Sequence, residues 1–153
     1  MPQTKKTLER LCMKAIIDIN VIMDWLFKRD EHEISVKVID LCVSKKINGF
    51  VCSHEITILS YFLEKEIKDK EQAIKILSKI MKMFSVLDLN SSILNKALKS
   101  KIKDYEDAVI EQSALVNECE LIITRNTKDF ENGKVQSIIP KEFLLMNKKE
   151  GGK

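Results

Sequence analysis

Ala15-Ile16-Ile17-Asp18-Ile19-Asn20 is the stretch on which the fold turns. Its first half is apolar and β-branched, the composition of a strand buried on both faces. It then stops abruptly on a carboxylate and an amide. Leu121-Ile122-Ile123-Thr124-Arg125-Asn126 repeats that pattern far down the chain, and Thr127-Lys128-Asp129-Phe130 follows it directly. Between them, Lys103-Asp104-Tyr105-Glu106-Asp107-Ala108 places three acids at the start of a helical pattern. Strand ends and helix starts converge at one edge of an open α/β sheet, where ligands bind. The four stretches together therefore predict an acidic site at such an edge.

Working outward, a strand over 14–18 precedes a helix over 20–27, with Val21, Ile22, Trp25 and Leu26 at helical spacing. A second amphipathic helix covers 34–43. Asn48-Gly49 reads as a turn into a strand over 50–52. Ser53 reads as the cap of a helix running to residue 68, and another helix follows over 71–84. A short strand at 86–87, a helix capped by Ser91 or Ser92, the helix opened by Asp104 and a strand over 121–124 come next. A last strand within 135–139 and a short helix begun by Pro140 end the pattern. Strands alternating with helices predict an α/β fold with a central parallel sheet flanked by helices. The 153 residues suit one domain. We expect an N-terminal extension over 1–12, with Met13 as a second candidate start, a domain over 13–146 and a frayed tail over 147–153.

Composition narrows the function classes. Hydrophobic residues at 44% and charged residues at 32% describe a globular chain rather than a disordered one. No apolar run approaches the roughly 18 residues of a membrane span, and residues 1–10 lack the apolar segment of a secretory signal. Cys12, Cys42, Cys52 and Cys119 are scattered, which argues against a zinc site or disulfide scaffold and suits a reducing cytoplasm. A net charge of +3 is too balanced to diagnose nucleic-acid binding. The lysines do cluster, at 45–46, at Lys99, Lys101 and Lys103, and at 148–149. Each cluster reads as a solvated face. Beside a metal-binding acid site, those near Asp104 become candidate phosphate contacts.

Each acid has two readings. Asp18 is either a helix-capping turn residue or a hard oxygen ligand for Mg²⁺ or Mn²⁺ at the end of a strand. Asn20, two residues on, is placed to hydrogen-bond Asp18 or hold the loop. Asp104 and Asp107 are three apart and share one helix face. The helix dipole alone favours acids there, but Asp107 stands directly before the apolar face, where an inward ligand would be. Glu106 is expected to face solvent. Asp129 is either a loop cap or the acid that completes the site, with Thr124 and Asn126 orienting a carboxylate, water or phosphate. Arg125 reads equally as a phosphate contact or a surface charge. His32 and His54 fall in no triad or ligand spacing and read as surface or structural. Packed carboxylates repel one another, and a divalent ion relieves the repulsion while supplying phosphodiester hydrolysis without a protein nucleophile. Asn20 breaks the Asp-x-Asp pair of haloacid-dehalogenase-like phosphatases, and no glycine-rich turn follows a strand, so phosphotransfer and dinucleotide binding are minor alternatives.

With these residues in place, the chain resembles a PIN domain, close to the VapC-type toxins, over about residues 13–145. Ile17-Asp18-Ile19-Asn20-Val21 resembles the first PIN motif, Asp104-Tyr105-Glu106-Asp107-Ala108 the central acidic block, and Thr124-Arg125-Asn126-Thr127-Lys128-Asp129-Phe130 the closing motif. The resemblance implies a three-layer α/β/α fold and an Mg²⁺- or Mn²⁺-dependent endoribonuclease acting on RNA. It implies Asp18, Asp107 and Asp129 as catalytic and metal-ligand positions, with Asp104 and Asn126 as site neighbours. It also implies a homodimer and a small antitoxin partner. Two positions depart from the pattern. Ile19 stands where the family often has a hydroxyl residue, and spacing puts Ile58 at the second acid on the helix after the second strand, with Glu55 one turn earlier as a substitute. A site of only three carboxylates would follow. That departure motivates the alternative of a catalytically weak or inactive PIN domain that binds RNA or protein.

Overall fold

Ala15 and Ile17 face one way and Ile16 the other, as the two-residue period of a strand requires. Both faces of this strand, β1 (Lys14–Ile17), are buried. In the computed structural model, which describes residues 12–151, β1 is the middle of a five-stranded sheet. Its neighbours are β2 (Asn48–Cys52) and β4 (Leu121–Ile123), with β3 (Ser85–Leu87) and β5 (Gln136–Ile138) at the edges, in the order β3-β2-β1-β4-β5. Every pairing is parallel, and Ile16 lies between Phe50 and Ile122.

Two apolar layers sandwich the sheet. On one face, α1 (Ile19–Leu26), α2 (His32–Val43), α3 (Ser53–Ile67), α4 (Lys70–Met83) and α7 (Pro140–Gly151) send in Ile22, Ile39, Leu59, Ile80 and Phe143. On the other, α5 (Ser91–Ala97) and α6 (Tyr105–Val116) pack Ile93, Ala97, Ala108 and Ile110 against Ile16 and Ile122. Full burial of each Ile, Leu or Phe among these contributes about 1.5–3 kcal/mol. The result is the three-layer α/β/α arrangement that the sequence predicts. The chain builds β2 and β3 on one side of β1, then crosses through α5 and α6 to place β4 on the other. Strand order therefore reverses at β1 and β4, which opens a crevice at their carboxyl ends.

Local details depart from the sequence reading. Asn48-Gly49 is not a turn but the start of β2, paired with Lys14 and Ala15. Gly49 is there for space, since a Cβ would stand 2.6 Å from Cys42 Sγ. Ser53 is the first residue of α3, not its side-chain cap. Asn90, rather than Ser91 or Ser92, caps α5 by accepting from Ile93 N at 3.0 Å. The helix begun by Pro140 is longer than the short one expected and continues to Gly151. Most of the N-terminal extension, residues 1–11, and the last two residues lie outside the described residues.

Candidate metal centre

Asp18 leaves β1 and precedes α1, so backbone geometry puts it at a capping position. Its carboxylate makes no capping bond. Instead Oδ2 accepts from Thr124 Oγ1 at 2.7 Å and from Asn20 Nδ2 at 3.3 Å. Thr124 Oγ1 in turn accepts from Asn126 N at 3.1 Å, and Asn20 Oδ1 accepts from Arg125 N at 3.3 Å. The ends of β1 and β4 are thus laced together around one buried carboxylate, 7% exposed. Asn20, Thr124 and the Asn126 backbone orient Asp18. Burial pushes the Asp18 carboxyl up, and the Thr124 hydrogen bond opposes that shift.

The acid beside Asp18 comes from α3, and it is Glu55. Glu55 has no solvent exposure, and its Oε2 accepts from Ile19 N at 2.8 Å. Its Oε1 meets no donor among the described residues. Burial, reinforced by the charge of Asp18, pushes the Glu55 carboxyl well above its usual range. The neighbouring Asp18 carboxyl is raised as well, again chiefly by burial. Without a cation, such a pair cannot both ionise at neutral pH. Glu55 is the substitute that the sequence offers one turn before Ile58, and it stands beside Asp18. The first turn of α3 begins immediately at the end of β2, so a residue one turn earlier reaches the crevice.

The start of α6 supplies the third group. Asp104 is the N-cap and accepts from Asp107 N at 3.1 Å, so the capping reading holds for it. Asp107 is half-buried and its carboxyl is pushed up to about 8. Burial is the largest cause, followed by hydrogen bonding to Glu106 and the charges of Glu106, Asp104 and Asp18. Glu106, expected in solvent, is half-buried and lies 3.2 Å from His54 Nε2. Sequence reading missed it because a first-turn acid normally points outward, whereas α6 packs its first turn against the start of α3. Carboxylate oxygens of Asp104, Glu106 and Asp107 all lie within 4.8 Å of one another.

Asp129 sits in a 3₁₀ turn (Thr127–Phe130) and is exposed. With Asp104 and Asp107 it lines a cleft of about 260 Å³, but no hydrogen bond joins it to Asp18 among the described residues. Arg125 is engaged elsewhere. Its Nε lies 3.1 Å from Oδ2 of Asp24, a side chain with no solvent exposure that lies just under the surface of α1. Burial pushes the Asp24 carboxyl up and the Arg125 charge counters it. The ion pair anchors the strand-end loop to α1 and holds Arg125 as a partly exposed charge. The signal was present in the sequence, since Asp24 follows Val21 at helical spacing on the apolar face.

The fold and site together define an α/β/α domain with an acid-lined crevice at the switch point of a parallel sheet. The chain belongs to the PIN domain family, whose sequence model matches residues 14–128. It is 27% identical over 137 residues to Ribonuclease VapC1 of Aquifex aeolicus, covering 85% of this chain and 92% of that protein. Its fold is similar to that of the DNA-bound VapBC2 from Rickettsia felis, with a TM-score of 0.67 and 16% identity over 83% of this chain and 98% of that one. It is likewise similar to the DNA-bound VapBC from Salmonella typhimurium, with a TM-score of 0.64 and 17% identity over 84% and 98%.

Proposed function

We propose that the chain is a metal-dependent endoribonuclease and the toxin of a toxin–antitoxin pair. The observation that carries this reading is the buried Asp18–Glu55 pair, whose Glu55 Oε1 has no donor among the described residues and which faces the Asp107 cluster across the crevice. Such an arrangement asks for protons or a cation. Oxygen-only donors at several carboxylates suit a hard divalent ion, Mg²⁺ or Mn²⁺. Asp18, Glu55 and Asp107 would hold it, with Asp129 at the open side and Asp104 as a neighbour. The ion supplies charge neutralisation at phosphoryl oxygen and a more acidic water.

The chain's own residues supply the rest. Thr124 and Asn20 fix the Asp18 carboxylate, and Asn126 N fixes Thr124. His54 holds Glu106 at the rim. Asp107, pushed up to about 8, keeps a proton near neutral pH that a bound cation would displace. Attack of water on phosphorus then breaks the P–O bond and leaves a phosphate on one RNA fragment and a hydroxyl on the other.

The family and the relative named as a ribonuclease support this reading. The alternative of a non-cutting binding module drew on a missing second acid, and it weakens because Glu55 stands beside Asp18. A small antitoxin partner is inferred from the VapBC complexes of similar fold. Exposed Tyr61 on α3, with Ile74 and Met81 on α4, offers apolar surface for a homodimer. A cytoplasmic setting fits the four unpaired cysteines.

Purified protein, incubated with labelled single-stranded and structured RNA in Mn²⁺, Mg²⁺ or chelator, tests the proposal. We expect metal-dependent cutting that is lost in Asp18→Asn and in Glu55→Gln. Cutting that survives in both variants, or that persists in chelator, overturns it.

A further inference from the structure

A concavity of about 580 Å³ lies beside the acidic cleft and has the opposite charge. It is lined by Lys96 of α5, by Lys99 and Lys101 of the α5–α6 loop, and by Lys134 ahead of β5. The sequence reading groups Lys99 and Lys101 with Lys103. The folded chain instead places Lys103 in the acidic cleft and brings Lys96 and Lys134 to the other two. Asn132 lines both depressions, so they share a wall.

Two features separate this pocket from an ordinary solvated face. First, its floor is fastened. Glu111 of α6, 2% exposed, accepts from Ser100 Oγ at 2.8 Å, from Gln112 Nε2 at 3.1 Å and from Lys134 N at 2.7 Å. One carboxylate thereby ties two separate loops to α6. A Cβ at Gly133 would collide with Glu111 Oε2 and with Ile102, so glycine is what allows the second loop to close. Second, the lysines are left without partners. Glu111 is the only carboxylate in the lining, and both its oxygens are engaged. No ion pair involves any of the four ammonium groups among the described residues. Four like charges held in one concavity raise its potential and attract anions.

The geometry points to a second subsite in which Lys96, Lys99, Lys101 and Lys134 hold backbone phosphates of RNA next to the scissile phosphate. This inference rests on the nuclease reading for its substrate. The lining contains no aromatic ring, so it offers bases no stacking platform and serves the backbone whatever the sequence. Placing the positive pocket beside the negative cleft, rather than within it, anchors the strand without neutralising the acids. The subsite positions RNA and favours substrates long enough to reach it.

The test compares two double variants of equal charge change. Lys99→Gln with Lys134→Gln empties the pocket of two charges, while Lys37→Gln with Lys141→Gln removes two exposed lysines of the α2–α7 face. All four side chains are exposed, so both variants should fold. Binding of a labelled single-stranded RNA is followed by fluorescence anisotropy in chelator, where no cutting intervenes. We expect the pocket pair to weaken binding about tenfold and to lower the salt slope by about 1.4, and the remote pair to change affinity less than about twofold. With Mn²⁺, the pocket pair should raise KM for long RNA, and the remote pair should leave it unchanged.

Equal weakening by both pairs, or absence of RNA binding by the wild type, overturns the subsite. So does displacement of RNA by inorganic phosphate at matched phosphate concentration, or tighter pocket-dependent binding of polyglutamate than of RNA. If the wild type binds RNA through the pocket but cuts nothing, the nuclease reading fails and the subsite stands. If it cuts RNA with no sensitivity to the pocket pair, the subsite fails and the nuclease reading stands.

Discussion

Thr124 donates the shortest hydrogen bond to Asp18, and a β-branched hydroxyl at the end of a buried strand does so with little entropy left to lose. Thr124→Val keeps the shape and removes the donor. Chemical denaturation should show a loss of about 1–3 kcal/mol, since the buried Asp18 Oδ2 then keeps only the longer bond from Asn20. Mn²⁺ affinity by calorimetry should fall about tenfold or more, as when a group that orients a ligand is removed. An unchanged affinity would separate Thr124 from any metal site. The two candidates on α3 can be told apart at the same scale. Glu55→Gln should abolish RNA cutting, whereas Ile58→Ala should leave it within about threefold and cost only packing energy. The reverse pattern in the cleavage assay would return the second position to Ile58 and leave the site with fewer acids.

At the scale of elements, α6 serves as both a structural and a functional unit. Asp104 caps it, Asp107 faces the crevice one turn in, and Glu111 fastens the neighbouring loops one further turn along. That three-to-four residue spacing is one helix face used at successive heights. Asp104→Ala should destabilise the protein by about 1 kcal/mol in a thermal melt through the lost cap. Helix C-terminal ends show a different economy. With four glycines in the chain, left-handed backbone at Lys28, Lys45, Lys68 and Glu118 falls to residues that pay a steric cost there. Lys68 ends α3 with φ near 58°. Lys68→Gly should stabilise by up to about 1 kcal/mol despite the added freedom of the unfolded chain. A fall in melting temperature would show that the lysine stem makes contacts worth more than the strain.

For the whole molecule, the buried acids impose a pH-dependent stability. Asp107 has an ordinary value of 3.8 and is held at about 8 in the folded protein, and Glu55 is raised as well. The folded state therefore keeps protons that the unfolded state has released between about pH 4 and 8. Stability falls wherever the native state binds more protons, so the metal-free protein should melt at progressively lower temperature as pH rises through that window. Asp107→Asn should flatten the slope. Saturating Mn²⁺ should also flatten it and raise stability by about 2.7 kcal/mol at one hundred times its dissociation constant. A metal-free melting temperature that rises from pH 5 to 8 would contradict the raised carboxyls of this site.

The sequence by itself determined the parallel α/β architecture, because apolar runs of strand length alternate with amphipathic helices and burial drives both. It also exposed Asp18, Asp107, Thr124 and Asn20, since each stands where a regular element begins or ends. What it could not supply is direction in space. Glu55 and Glu106 are near neighbours of residues that drew attention, yet a linear pattern does not say which way a first helical turn faces once its strand is seated. Arg125 could be paired with Asp24 only after β4 docked beside β1. Lys96 and Lys134, distant in the chain, became neighbours only when Glu111 closed two loops on one helix. Local periodicity is written in adjacent residues, whereas charge pairing and raised carboxyls depend on distances that long-range packing alone sets.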